Sequence, residues 1–428
     1  MSPPIKAVLF GAGLRGAVAY APYALAHPQA LKFVAVAEPD PERRARFAAQ
    51  HHIPKTHQFT SWEEVLAKPR MADVVFNCTQ DQMHFASSIP TLEAGYDMLL
   101  EKPMTNSLTE TVQLVQFAEK QGRLLQICHV LRYTPFFTTL NKVLRSGQLG
   151  DIVTVEHREN VAYHHMAHSF VRGNWRNAGA SSPMILAKSC HDLDILYWNL
   201  GVPVKFIQSF GALRYFRPEN APAGATPRCT DGCPVAATCP FDARRVYLNM
   251  DRADWVIMAM TNDLSLAGRQ AALETGPYGR CVYACDNDVV DNQTVNMILE
   301  NDTTVTFTMH GHSHAEGRSM RYDGTRATLR ATTIGQEPQI EIHHHLTDEC
   351  ERIEIPLTDG SGHGGGDFGV VDGFLRTLRG EADGLTSARV SLESHLMAFA
   401  AEEARLSNTV VTMATFWAQA EAMAQNGF

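Results

Sequence analysis

The chain has 428 residues, of which 45% are hydrophobic and 19% charged, and its formal net charge is -9. That length divides into two or three domains, and so much apolar residue excludes a disordered chain or a small disulfide scaffold. With 46 acidic against 37 basic residues there is no general basic surface for nucleic acid, and no apolar run approaches the roughly 20 residues that cross a bilayer.

The opening Met-Ser-Pro-Pro-Ile-Lys passes straight into Ala7-Val8-Leu9-Phe10, with no pattern of a secretory signal. A soluble, cytoplasmic protein is therefore expected, with no nucleic-acid or membrane partner. Strand patterns follow at Ile5–Phe10, Phe33–Ala37, Val74–Cys78, Met98–Leu100 and Leu124–Cys128, separated by helical patterns over 41–50, 83–94 and 109–121. Alternation of this kind predicts βαβ units and a parallel sheet. Beyond Tyr133 the strands lengthen and alternate, as in Ile152–Glu159 and in Thr294–Met309, which folds back at Glu300-Asn301-Asp302. Helical patterns close the chain at Phe368–Leu378 and Ser391–Leu406, and Gly360–Gly366 reads as a loop. The expected fold class is α/β: an N-terminal Rossmann doubly wound parallel sheet over 1–130, then a C-terminal α+β domain over 131–428 with an open, mainly antiparallel sheet. Residues 218–245, rich in Pro, Gly and Cys, read as an irregular insertion.

Gly11-Ala12-Gly13-Leu14-Arg15-Gly16 follows the first strand, opens a helix, and precedes a second strand that ends in Glu38. In that context a G-x-G-x-x-G turn is a dinucleotide site: the glycines allow a tight turn and close approach to a pyrophosphate, whose charge meets the helix N-terminus. Glu38 would accept hydrogen bonds from ribose hydroxyls and repel a 2′-phosphate, which favours NAD over NADP. Arg43 is the nearby cation that would favour NADP instead. A purely structural strand–helix turn is the plain alternative.

Glu101-Lys102-Pro103 follows the fourth strand, at the carboxyl edge where open α/β sheets bind ligands. Together, GAGLRG at 11–16, AEPD at 37–40, TQDQMH at 79–84, LLEKP at 99–103 and SCHDLDIL at 189–196 resemble the Gfo/Idh/MocA oxidoreductases along essentially the whole chain. The resemblance implies a nicotinamide-dependent enzyme acting on a sugar, sugar acid or cyclitol, with Lys102 reaching the substrate hydroxyl. It implies further that Thr79, Asp81 and His84 contact the ribose and nicotinamide, and that the open sheet is buried in a homodimer or homotetramer. Glu101, His129 and Arg132 lie at the same edge and face cofactor or substrate on this reading.

His191 matches the family histidine of the second domain and Asp194 the acid after it. The family pattern D-x-G-x-H-x-x-D departs here, because Ala187 stands where its first carboxylate belongs. Asp192 is then a candidate to orient His191, and Lys188 to bind an anionic or hydroxyl group. Upstream, the stretch from Tyr163 to Arg176 mixes aromatic, His and Arg side chains that suit a carbohydrate, with His165, His168, Arg172 and Trp175 as candidate contacts. His310, His312 and His314 share strand spacing and one face; His343–His345 read as a solvated strand.

The chain has nine cysteines. Cys229, Cys233 and Cys239 fall within the insertion and offer three ligands to a structural zinc, with Cys281 as the expected fourth and Cys285 or a histidine as its alternatives; reduced thiols are the plain alternative. Three functions fit these motifs: an NAD-dependent sugar or cyclitol dehydrogenase, an NAD-dependent glycosidase that oxidises and re-reduces its substrate, and a non-catalytic NAD-binding protein. Intact Lys102 and His191 argue against the last.

Overall fold

The computed structural model describes residues 3–425 except 336 and 359. Its first sheet consists of β1 (Ile5–Phe10), β2 (Leu31–Ala37), β3 (Gln58–Phe59), β4 (Val74–Asn77), β5 (Asp97–Leu100) and β6 (Leu125–Ile127). All pairings are parallel and the order is β3-β2-β1-β4-β5-β6, so the chain reverses direction between β1 and β4. That reversal opens the crevice in which such sheets bind ligands. Both faces are covered, as a parallel sheet requires: Ala7, Leu9 and Phe76 face one apolar cluster, Val8, Phe10 and Val75 another.

The helices α1 (Pro41–Gln50), α2 (His84–Glu93) and α3 (Leu108–Lys120) lie where the apolar spacing puts them. Asp40 caps α1 by accepting from the amides of Glu42 and Arg43, and Pro41 occupies the first turn, where its missing N–H costs nothing. The element after the glycine turn is different from expectation. It is a π-helical segment, Leu14–Tyr20, rather than a regular α-helix.

The second sheet has nine strands. They are β7 (Ile152–Ala162), β8 (Val204–Ala212), β9 (Asn292–Leu299), β10 (Thr304–Ser313), β11 (Gly317–Gly324), β12 (Ala327–Thr332), β13 (Gln339–His344), β14 (Cys350–Arg352) and β15 (Val411–Thr412). Their order is β14-β13-β12-β11-β7-β10-β9-β8-β15, antiparallel throughout except for the parallel pair β7–β10. The β9–β10 turn falls at the expected residues, with Asp302 at φ 64°. Of the meander β11–β14 only the end of β13 was read, as the solvated strand at His343–His345; β11, β12 and β14 went unread.

Helix α4 (Cys190–Leu200) ends at Gly201, whose φ of 64° suits a residue without Cβ. Helices α5 (Gly366–Leu378), α6 (Ala388–Ser407) and α7 (Met413–Gln425) follow the second sheet, and α6 and α7 return to pack on α3. The amide of Met104 donates to His395 Nε2 on α6 at 2.9 Å, and Gln113 Nε2 donates to the Ala424 carbonyl on α7 at 3.1 Å. The insertion runs on past the expected residue 245 through three short helices, Ala243–Tyr247, Trp255–Met260 and Leu266–Thr275. They enclose a small core of their own around Tyr247, Ile257 and Leu273.

Several buried histidines make the fold sensitive to acid. Burial pulls His51 down to about 4, and His168 and His395 to about 3, from an ordinary 6.5. His395 Nε2 must stay unprotonated to accept the Met104 amide. Below about pH 6.5 the unfolded chain takes up these protons while the folded one does not, so stability falls with pH. The thermal midpoint should drop steadily between pH 7 and 5, with each such histidine costing up to about 1.4 kcal/mol per pH unit. A midpoint that rises on acidification over that range would contradict the neutral assignment.

Candidate active site

The glycine turn after β1 does three separate jobs. Gly11 adopts φ 82°, and a Cβ there would lie 2.5 Å from the Cys78 carbonyl oxygen. A Cβ at Gly16 would stand 2.3 Å from the Gly11 carbonyl oxygen, so Gly16 lets the following helix close on β1. Gly13 faces open space, with nothing within 4 Å of an added Cβ. The loop from Gly13 to Leu14 can therefore approach a pyrophosphate closely, and the turn fits a dinucleotide. Glu38 at the tip of β2 is 4% exposed and accepts from the amides of Ala12 at 2.7 Å and Asp40 at 3.0 Å. It ties the glycine loop to β2 while its remaining lone pairs stay available to ribose hydroxyls. Arg43 turns toward Tyr278 of the second domain, whose phenol its charge influences. Arg44, passed over in the sequence, is the cation at the strand tip, donating to the carbonyls of Glu38 and Pro39.

Of the residues expected at the cofactor, Arg15, Glu101, Asp81 and His84 are hydrogen-bonded within the protein and His129 is buried. Arg15 Nε donates to Glu101 Oε1 at 2.7 Å and its Nη2 to Asp367 Oδ1 at 2.8 Å, so its guanidinium bridges the two domains. Glu101 also accepts from the Tyr20 hydroxyl at 2.5 Å and from the Lys102 amide at 2.8 Å. Burial alone would raise the Glu101 carboxyl, but Arg15 and Lys102 hold it below its ordinary value. Asp81 accepts from Trp175 Nε1 at 3.2 Å and from the hydroxyls of Ser181 and Ser182 at 3.0 Å, which makes it a domain tie rather than a ribose contact. His84 donates through Nδ1 to the Pro103 carbonyl at 2.7 Å and is fully buried. His129, also fully buried, lies 5.7 Å from the His191 ring and 5.4 Å from the His395 ring, and its ring nitrogens have no hydrogen-bond partner among the described residues. Thr79 remains partly exposed at the end of β4, its hydroxyl on Asn77 Oδ1 at 2.8 Å.

The candidate substrate contacts divide in the same way. Arg132 is 2% exposed and forms a fork on Asp194, both N–O distances being 2.7 Å, so it is a structural cation. His168 bonds the Tyr247 hydroxyl at 2.8 Å and stacks on Tyr278 at 4.6 Å inside the insertion's core. Arg172 donates to the carbonyls of Arg280 and Phe241, each at 2.7 Å. Trp175 is engaged with Asp81. Asp192 bonds His157 Nε2 at 2.8 Å and Arg318 Nε at 2.7 Å, so it does not orient His191. His310 bonds Asn160 Oδ1 at 3.0 Å, His312 stacks on Phe216 at 5.2 Å, and His314 lies beyond the strand; the three do not line one cavity.

Lys102, His191, Lys188 and His165 do converge. The Lys102–Pro103 peptide is cis, and Lys102 Nζ donates to the Ala187 carbonyl at 2.6 Å. A main-chain carbonyl thus meets the lysine at the position where the family pattern has a carboxylate. His191 is 6% exposed and its Nδ1 has no hydrogen-bond partner among the described residues. Burial, then the charge of Lys102, holds the imidazole well below its ordinary pKa, so it is neutral. Beside it runs a chain of charges. His165 Nδ1 pairs with Glu316 Oε1 at 3.0 Å, and Lys188 Nζ lies 3.1 Å from that oxygen and 3.2 Å from Glu159 Oε1. Arg318 joins Glu159 and Asp192, each at 2.7 Å. Burial would lower Lys188, but Glu159 and Glu316 raise it.

Glu159, Glu316 and Arg318 were missed. One signal was present: on β7, Val155, His157, Glu159 and Val161 share the buried face, and a glutamate at such an inward position demands a partner. In the insertion, Cys229, Cys233, Cys239 and Cys281 line one small cavity with Phe241 and Tyr283.

Residues 5–129 match the family model described as "Oxidoreductase family, NAD-binding Rossmann fold", and residues 137–330 match the GFO/IDH/MocA C-terminal domain. The chain belongs to the GFO/IDH/MocA oxidoreductase family. It is 22% identical over 343 residues to the YteT protein of Bacillus subtilis (strain 168), covering 77% of this chain and 78% of that one. Over 180 residues it is 27% identical to an inositol 2-dehydrogenase of Corynebacterium glutamicum (strain R), spanning 41% of this chain and 48% of the relative. An oxidoreductase from Agrobacterium radiobacter, solved with NAD+, L-tartaric acid and magnesium, shares the fold with a TM-score of 0.68 at 15% identity, over 96% of this chain and 99% of that one. The chain is thus an oxidoreductase with an NAD-binding Rossmann domain.

Arg132→Met should cost about 3–5 kcal/mol in urea unfolding, because it strands the buried Asp194 charge. Adding Asp194→Leu should recover most of that loss. A single variant as stable as the wild type would return Arg132 to the list of substrate contacts.

Proposed function

We propose that this oxidoreductase transfers hydride between a hydroxyl of a sugar, sugar derivative or cyclitol and NAD. The observation that carries the reading is the meeting of Lys102, from the first domain, with His191, from the second, at the carboxyl edge beside the glycine turn. Bound NAD supplies the hydride acceptor. Neutral His191 takes the hydroxyl proton through an imidazole nitrogen, and the Lys102 ammonium, extended by its bond to Ala187, steadies the negative charge that develops on the oxygen. Lys188, Glu316 and His165, partly exposed at the mouth, present the alternating donors and acceptors that a polyhydroxylated substrate needs. The inositol 2-dehydrogenase relative supports the cyclitol side of this range. Glu38 favours NAD over NADP. A homodimer or homotetramer that covers the outward face of the second sheet belongs to the same reading: Phe210 and Ile298 stand there 52% and 40% exposed.

Lys102→Met should lower kcat by about 10²–10⁴ while NAD binding persists. With the wild type, kcat/KM for alcohol oxidation should hold level as the pH falls from 7 to about 6, because His191 gains its proton only well below its ordinary 6.5. An acid limb at pH 7 or above would remove His191 as the base. Glu38→Ala should narrow the preference for NAD over NADP, read by fluorescence titration of both; equal affinities in the wild type would overturn the preference. Sugars, cyclitols and aryl glycosides should be screened with substoichiometric NAD. NADH in step with ketone supports net oxidation, whereas many turnovers of aglycone without NADH would replace it with the glycosidase reading.

A further inference from the structure

The insertion is poorly supplied with core for its size. Its own apolar cluster consists of Ala243, Tyr247, Val256, Ile257, Leu273 and Tyr278, and the stretch 221–242 before it is almost entirely turns and coil. Small units of this kind are held by disulfides or metals. Yet all nine cysteines of the chain are free. Four of them, Cys229, Cys233, Cys239 and Cys281, are brought to one cavity from two separate stretches of chain. The stretches are joined by main-chain bonds: the Cys229 amide donates to the Gly279 carbonyl at 2.9 Å, and the Cys281 amide to the Pro227 carbonyl at 2.8 Å.

The guanidinium of Arg172 lies beside one of these sulfurs, its Nη2 3.7 Å from Cys229 Sγ. Arg172 is itself 2% exposed. A buried cation at that distance favours a negative Cys229 sulfur, and hydrogen bonds to sulfur are a recurring accompaniment of thiolate–metal centres. Cys285, the fifth cysteine nearby, is arranged differently: its thiol is turned onto the Cys281 carbonyl at 3.3 Å.

We propose that Cys229, Cys233, Cys239 and Cys281 bind a thiophilic metal centre through four thiolates, and that this centre staples the insertion. Zinc and iron–sulfur clusters share that ligand chemistry. The set of three ligand atoms within 4.8 Å of one another among the described residues is Glu341, His343 and Cys350, on an exposed sheet edge, not the insertion cysteines. To hold a metal the four cysteine side chains therefore rotate inward from the positions they take here.

The test is elemental and sulfide analysis of the full-length protein, purified without added metal in parallel under air and under anaerobic conditions. About one zinc per chain, or about four irons with matching sulfide and absorbance near 400 nm, supports the site and identifies its occupant. Less than about a tenth of an equivalent of either in both preparations overturns it. Cys239→Ser with Cys281→Ser should lose the metal and Cys285→Ser should keep it; the reverse pattern overturns the ligand assignment. Should the double variant fail to fold, thiol titration of the wild type decides. Four thiols should become reactive only after chelation, and an unchanged thiol count overturns the proposal.

Discussion

A bidentate ion pair that solvent does not reach, Arg132 with Asp194, joins the segment after β6 to helix α4. Charges buried this deeply are tolerated only when paired and hydrogen-bonded, so the contact has few alternative geometries. Arg132 spends a further donor on the Leu385 carbonyl at 3.0 Å, which draws in the approach to α6. With α4 held under the carboxyl edge of the first sheet, its first turn delivers His191 toward Lys102. Asp192, the next residue along the same turn, is aimed into the second sheet. The candidate base and the charged network are consequences of one docking.

That network gives α4 its second anchor. Asp192, Glu159 and Glu316 face Lys188 and Arg318, and the chain of ion pairs spans three elements of the second domain: α4, β7 and β11 with the turn before it. Opposite charges in a low-dielectric setting interact strongly and leave each carboxylate oxygen a fixed direction. A substrate hydroxyl entering beside Lys188 meets a preset pattern of donors and acceptors. The Ala187 departure acts in the same direction. With a carbonyl rather than a carboxylate on its Nζ, Lys102 brings a net positive charge to the site.

Chemistry that depends on short stretches was legible in the sequence. The glycine turn and Glu38 lie next to the strand that aims them, so spacing located them, while Lys102 of the Glu-Lys-Pro turn and His191 were picked out by the family resemblance. Pairing across the fold was not legible. Arg132, His168, Arg172 and Asp81 are residue types that bind ligands, and nothing along the chain announced that Asp194, Tyr247, Arg280 and Trp175 would occupy them first. Glu159 and Arg318 meet only because β7 and β11 are neighbours in the second sheet. The missed strands β11, β12 and β14 have the same origin, since their places are fixed by pairing with one another and with β7 across the sheet.

The return of the last helices to the first domain has a consequence for how the chain is made. Helix α3 is synthesised early, yet much of what packs on it is α6 and α7, which leave the ribosome far later. The first sheet can assemble from contacts local to residues 5–127, but the Met104 amide and the Gln113 side chain wait for His395 and Ala424. The N-terminal domain therefore spends most of its synthesis with apolar and polar surface uncovered, in the state where long-range topologies are slowest and most exposed to aggregation. Its final consolidation is a late event that waits for α6 and α7.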